Sequence, residues 1–171
     1  MVKLNMTDIP EANIPDGFEL RAIRQDEKAK WESLYGKAFK RDSDFTFQSE
    51  QESKPGYVGD GVLGIFHGDK LVATGTALCT HEWPEGFVHN IAADSEYSGK
   101  KLGYEITAAV LRRLRADGFA KAGLTTDDFR LPAIKSYHKL GFIPVLSVDE
   151  TMRDRWEKIY GIFGWELCEY R

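Results

Sequence analysis

Cysteine is nearly absent from this chain, with only Cys79 and Cys168 among its 171 residues. Two cysteines without metal-ligand spacing build neither a disulfide framework nor a zinc site, so free thiols in a reducing, cytoplasmic setting and no metal are expected. No apolar run approaches the ~20 residues of a membrane span, and Met1 to Asp8 lack the apolar core of a signal segment. The expected chain is neither secreted nor inserted in a membrane. Proline is sparse, at six residues, and no Pro- or Ser-rich stretch marks a linker. One domain over residues 1–171 is therefore expected, with 1–16 a partly ordered N-terminal extension. Nor is there an excess of positive charge: 23 basic against 27 acidic residues give −4, which argues against a nucleic-acid partner and weakly favours a cationic ligand.

What the chain does have is alternation and helical spacing in turn. Phe18, Leu20 and Ala22 alternate with polar neighbours, which predicts a strand, and Trp31, Leu34, Tyr35, Ala38 and Phe39 then recur at helical spacing. Residues 41–59 have no clear period and read as a loop or a short irregular helix. Val62 to His67 and Leu71 to Leu78 flank Gly68-Asp69, the pattern of a hairpin. Gly86 to Ala93 reads as a strand, and Leu102, Ile106, Val110 and Leu114 fall four apart on a helix that ends at Asp117-Gly118. A strand from Lys121 to Thr126, a helix from Pro132 to Gly141 and a strand from Phe142 to Leu146 follow. Ser147 and Glu150 have capping-box spacing ahead of a last helix through Trp156 and Phe163. The order is β-α-β-β-β-α-β-α-β-α, an α/β chain whose mixed sheet is covered by helices.

The segment Ile91-Ala92-Ala93-Asp94-Ser95-Glu96-Tyr97-Ser98-Gly99-Lys100-Lys101-Leu102-Gly103 joins a strand, a glycine turn and a helix N-terminus. Amides unpaired in a first helical turn converge with the positive end of the helix dipole, which makes an anion site for phosphate or pyrophosphate. Lys100 and Lys101 add charge. Further on, Arg130, Ala133, Tyr137, Gly141 and Phe142 are spaced along one strand-to-helix unit.

These two segments resemble the coenzyme A signature and the following Asn-x-x-Ala-x-x-x-Tyr-x-x-x-Gly-Phe helix of the GNAT superfamily of N-acetyltransferases. Gly103 matches the final glycine of the signature, while Ser98 stands where Gln or Arg is usual and Lys101 where its first glycine is usual. Ala133, Tyr137, Gly141 and Phe142 match the second motif, and Arg130 replaces its Asn. The resemblance implies a mixed, mostly antiparallel sheet with a V-shaped splay between two parallel strands, those through Ile91 and Leu124. It also implies an acetyl-coenzyme A-dependent transfer to a primary amine by direct attack on the thioester. Pyrophosphate would sit on Ser98, Gly99, Lys100, Lys101, Leu102 and Gly103, and the pantetheine arm along Ile91, Ala92 and Ala93 with Arg130 and Ala133. Homodimers are common in the family, and the last helix with Trp156, Phe163 and Trp165 would cover the sheet or meet a second subunit.

Within that frame Tyr137 is the candidate general acid and His89 the candidate base, because a neutral imidazole near ~6.5 can take a proton from an ammonium near ~10. Each has a plainer alternative, a core tyrosine and a paired strand histidine. His81, Glu82 and Glu85 surround Trp83-Pro84, and Glu82, Trp83, Glu85 and Asp127 are candidate contacts for a small-molecule or peptidyl amine. Loop acids are otherwise solvated, and Asp127 and Asp128 would otherwise cap the helix that follows. Trp31, Tyr35 and Trp156 read as core, and Cys79 as packing rather than nucleophile. The competing functions are a non-catalytic acyl-coenzyme A binding or sensing module and an unrelated phosphate-binding α/β domain.

Overall fold

The computed structural model describes residues 1–41, 44–80 and 85–168. In chain order its main elements are β1 (Val2–Lys3), β2 (Phe18–Ala22), α1 (Lys28–Phe39), β3 (Val62–His67), β4 (Lys70–Cys79), β5 (Gly86–Ala93), α2 (Leu102–Ala116), β6 (Ala122–Gly123), α3 (Leu131–Lys139) and α4 (Met152–Phe163). The strands form one sheet in the order β1-β6-β5-β4-β3-β2. Every neighbouring pair is antiparallel except β5 and β6, which run parallel.

The hairpin of β3 and β4 turns at Gly68-Asp69 as its sequence predicts, His67 pairing Lys70 and Gly68 taking a left-handed φ of 58°. Alternation then sends consecutive side chains to opposite faces. Phe66 and Val62 join Trp31, Leu34 and Tyr35 under α1. Ile65, Val72 and Ala73 meet Leu102 and Ile106 of α2 on the other face. Val110, Leu111 and Leu114 continue that layer against Ala77, Val88 and Tyr137. Because β4 is covered on both faces, residues from Leu71 to Leu78 are all buried. Outside α3, α4 packs through Trp156, Ile159 and Tyr160 onto Ile134. Among the described residues no helix is long and apolar enough to cross a membrane.

Several local expectations are corrected. The sequence reading puts no element before Gly17, yet Val2–Lys3 is a strand paired with Gly123 and Ala122, and Val2, Met6 and Ile9 are buried. A strand of two residues has no period to read. Phe142 to Leu146 is no regular strand; Ile143 makes an isolated antiparallel bridge to Val2, with bonds of 2.8 Å in both directions. The strand predicted over 121–126 keeps only Ala122–Gly123. Ahead of α4, the Asp149 carboxylate accepts from the Thr151 amide at 2.8 Å in place of a Ser147–Glu150 box. Asp127 and Asp128 do not cap α3: their carboxylates bind Arg130 and Arg155. The aperiodic stretch 41–59 contains a wide π-type turn, Gln48–Glu52.

One buried acid ties β2 to the start of α1. Glu27, 1% exposed, receives both terminal nitrogens of Arg21 at 2.7 and 2.8 Å and one from Arg24 at 2.9 Å. These bonds, Arg21's first, hold its carboxyl near 2 against the opposing pull of burial. A depressed acid contributes stability that is present above its ordinary value of 4.5 and lost as pH falls toward 2. Glu27→Gln is expected to cost about 1–3 kcal/mol at neutral pH, and to flatten the acid loss in that window. Denaturant titrations at several pH values read both effects.

Candidate active site

β5 and β6 stay together for two pairs only, Gly86 with Ala122 and Phe87 with Gly123. Beyond them β5 continues to Ala93 while β6 has ended, so the strands part and the β5 edge facing β6 loses its ladder. Two cavities open along this gap. One, of about 220 Å³, is lined by Phe39, His89, Asn90, Thr126 and Arg130 among others. The second, of about 460 Å³, is lined by Ala93, Ser98, Gly99, Gly103 and Ala133 among others. Ile91 and Tyr137 line both, so the two spaces meet at this pair.

The larger cavity is built around a turn that presents backbone. Gly99 has φ +84°, and Lys101, at φ 58°, also takes the left-handed conformation as the residue before α2. A glycine would hold that conformation without strain, so the lysine keeps the loop shape at a cost of about 1–2 kcal/mol. Among the described residues the amides of Gly99, Lys101, Leu102 and Gly103 take no backbone acceptor. A Cβ on Gly99 or Gly103 would meet no protein atom within 4 Å, so at Gly103 packing does not require glycine and the open space beside it is the cavity. Unpaired amides at the positive end of a 15-residue helix form a cradle for an anion. The turn is anchored by Asp94, whose carboxylate accepts from the Glu96 amide at 3.0 Å and pairs with Lys37 of α1 at 2.7 Å and Lys70 of β4 at 3.0 Å. Burial pushes this carboxyl up, but those partners bring it down to about 2, so it is charged at neutral pH.

The smaller cavity is shaped by a break in register. Thr74 pairs with Ala92 and Thr76 with His89, which leaves Gly75 alone opposite Asn90 and Ile91. This is a β-bulge, and Asn90 takes the left-handed φ of 49° that asparagine tolerates. A Cβ on Gly75 would lie 2.5 Å from Ile91 Cδ1, so glycine is needed where the bulge crowds its neighbour. The π-type turn holds the bulge from outside: the Glu50 carbonyl accepts from Asn90 Nδ2 at 3.3 Å and lies 3.1 Å from His89 Nε2. A carbonyl only accepts, so in neutral His89 the hydrogen sits on Nε2 and Nδ1 keeps its lone pair. Burial pushes this imidazole below its ordinary value, with the Glu50 carbonyl acting in the opposite sense, so the ring is neutral at pH 7.

Tyr137 is 6% exposed and packs edge-on against Phe142. Burial pushes its hydroxyl up to about 12 while the nearby Arg130 charge pulls the other way, so it remains a proton donor at neutral pH. A neutral acceptor and a protonated donor thus face one space.

The other sequence candidates divide. Ile91, Ala93, Ser98, Gly99, Lys101, Leu102, Gly103 and Ala133 line the larger cavity, whereas Lys100 and the buried Ala92 line neither. Arg130, taken from its motif position as a cofactor contact, lines the smaller cavity beside Asp127 and His89. Glu85 lines neither cavity; its carbonyl is held by the Thr80 hydroxyl. Glu82 and Trp83, with His81, lie outside the described residues. Sequence reasoning missed Asn90, Phe39, Thr125 and Thr126 as cavity residues. The one signal was Asn90 beside His89, since asparagine is the non-glycine residue best suited to a left-handed bulge. Among the described residues no cluster of three or more His, Cys, Asp or Glu side chains could hold a metal ion.

A splayed parallel pair with an amide cradle at one end defines a class, and comparison with known proteins agrees. The acetyltransferase (GNAT) family model matches residues 20–142, and the chain belongs to that family. A mycothiol acetyltransferase of Saccharopolyspora erythraea is 30% identical over 152 residues, covering 80% of this chain and 47% of its own length. One of Nocardiopsis dassonvillei is 37% identical over 83 residues, 48% of this chain and 25% of its own. The chain thus spans less than half the length of these relatives. Among solved structures, a GCN5-related N-acetyltransferase from Sphaerobacter thermophilus superposes with TM-score 0.64 at 16% identity, over 82% of this chain and 46% of its own. The glucosamine-6-phosphate N-acetyltransferase of Arabidopsis thaliana gives 0.58 at 20% identity, over 74% and 92%. At such identities these two likenesses speak for the fold.

Proposed function

We propose that this chain is an acetyl-coenzyme A-dependent N-acetyltransferase that moves the acetyl group directly onto a primary amine. One observation carries the reading: the anion cradle and the polar cavity meet at Ile91 and Tyr137, so a long donor and a small acceptor have separate entries to one point. The residues present fit coenzyme A. The unpaired amides of Gly99, Lys101, Leu102 and Gly103 suit its pyrophosphate, and the unladdered edge of β5 suits an amide-rich arm, as in strand addition. When bound, acetyl-coenzyme A supplies an activated thioester. His89, neutral with Nδ1 as its lone pair, takes the proton that the amine must lose. Asn90 and its bulge set the β5 edge, and Tyr137 holds a proton for the departing sulfur. The family match and the relatives' names support acetyl transfer.

The test is thiol release from acetyl-coenzyme A across a panel of small-molecule and peptidyl amines. Release that requires an amine supports transfer. Coenzyme A stabilisation with no amine-dependent release by any acceptor would replace this reading with a binding or sensing module. Tyr137→Phe removes one hydroxyl and is expected to lower kcat at least ~10-fold, with little change in coenzyme A affinity or melting temperature. Full activity across several pH values in that variant would leave solvent as the proton donor.

A further inference from the structure

The acceptor side of the gap contains a cation held in an unusual way. Arg130 sits just before α3, and its Nε donates to the Asp127 carboxylate at 2.8 Å. Its guanidinium carbon lies 4.4 Å from the Phe39 ring centroid at the end of α1, and 5.5 Å from that of Phe129. One edge of the fork is pinned and the plane is packed by aromatic rings, so little rotamer freedom remains to be lost. The two terminal nitrogens, by contrast, have no acceptor among the described residues. Asp127 is more than half exposed, so water screens its charge and the fork keeps its attraction for a second anion.

The position of this fork separates it from the coenzyme cradle. Arg130 lines the smaller cavity with His89 and Asn90, and is absent from the lining of the larger one with Gly99 and Gly103. Thr126 lines the same smaller cavity, and its hydroxyl is buried without a hydrogen-bond partner. A buried hydroxyl and an open guanidinium edge are two polar groups without a partner among the described residues. At about 220 Å³ the space is small enough that whatever meets Arg130 and whatever meets His89 belong to one compact molecule.

We infer that Arg130 is the acceptor-specificity residue and that the acceptor is a small amine carrying a carboxylate close to the nitrogen, an amino-acid-like zwitterion. Arg130 takes the carboxylate through its two terminal nitrogens, the geometry in which a guanidinium matches a planar anion. The amine is thereby left toward His89 and the junction at Tyr137. The inference rests on the acetyltransferase reading above and narrows its acceptor.

The experiment compares glycine, L-serine, L-cysteine and L-methionine, each with its primary amide, on wild type and Arg130→Gln. Calorimetric binding to the coenzyme A-loaded protein and the rate of thiol release from acetyl-coenzyme A are both measured. Wild type is expected to prefer at least one free acid over its amide by 10-fold or more in Kd or kcat/KM, and Arg130→Gln to reduce that ratio toward one. Because the readout is a ratio within one protein, a general loss of stability in the variant does not produce it. Equal treatment of acid and amide by wild type, no binding by any free acid, or a ratio unchanged in Arg130→Gln overturns the inference. A variant that loses coenzyme A affinity while keeping the acid preference overturns it too and assigns Arg130 to the coenzyme. Failure of wild type to bind coenzyme A is a different result, which removes the acetyltransferase reading itself.

Discussion

Replacing Gly103 by aspartate is expected to weaken coenzyme A binding at least ~10²-fold, because placing like charges together at a binding surface costs several kcal/mol. The new carboxylate would stand in the open space beside the unpaired amides of Lys101 and Leu102, where the pyrophosphate is expected. The substitution is also unusually clean. A Cβ at position 103 meets nothing within 4 Å, its φ is not left-handed, and an acid in the first turn of a helix interacts favourably with the dipole. The variant should therefore melt at or above the wild-type temperature without ligand, yet lose the upward shift that coenzyme A gives by mass action. Calorimetry and thermal melts with and without coenzyme A measure both. An unchanged affinity would take the anion cradle out of the binding site.

The parts of this molecule that were legible in the sequence are those where a local pattern and a global role coincide. Gly68-Asp69 predicted a hairpin because two residues suffice to define its turn. Leu102, Ile106, Val110 and Leu114 predicted α2 because one face of a helix has to be apolar to reach the sheet. Gly99 could be singled out as a turn residue because its left-handed φ of 84° suits glycine. What stayed hidden depends on register and on distant chain. The bulge at Asn90 forms in the pairing with β4, where Gly75 gives way to Ile91, so within residues 86–93 the asparagine is its sole trace. The carbonyl that orients His89 comes from Glu50, 39 positions earlier, in a stretch without periodicity. The motif position of Arg130 points to a coenzyme contact and says nothing of Phe39, which carries no motif and lies against its guanidinium from the end of α1. β1 escaped notice because its two residues gain their place by covering the edge of β6, a tertiary fact with no local propensity behind it.

His89→Ala is expected to lower kcat by roughly 10²-fold or more, the range over which a positioned general base contributes. An amine acceptor with a pKa near ~10 arrives mostly as ammonium at neutral pH, and transfer needs it neutral at the moment of attack. A base serves only if it is itself unprotonated, and burial already pushes the His89 imidazole below its ordinary value. The acid limb of the wild-type pH–rate profile should consequently fall below ~6.5, activity being lost as pH drops through the lowered value. The ring also has a second job, since Nε2 donates to the Glu50 carbonyl that holds the bulge at Asn90. Alanine removes both functions, so a second substitution is needed to separate them. The side-chain amide of His89→Gln can still donate to Glu50 while offering no base of useful strength. If catalysis depends on the lone pair at Nδ1, the glutamine and alanine variants should be equally slow, and both should lose the acid limb. If His89 only supports the bulge, glutamine should restore most of the rate that alanine loses. Wild-type turnover with the same acid limb in both variants would end the assignment and pass the proton to a water chain or another group.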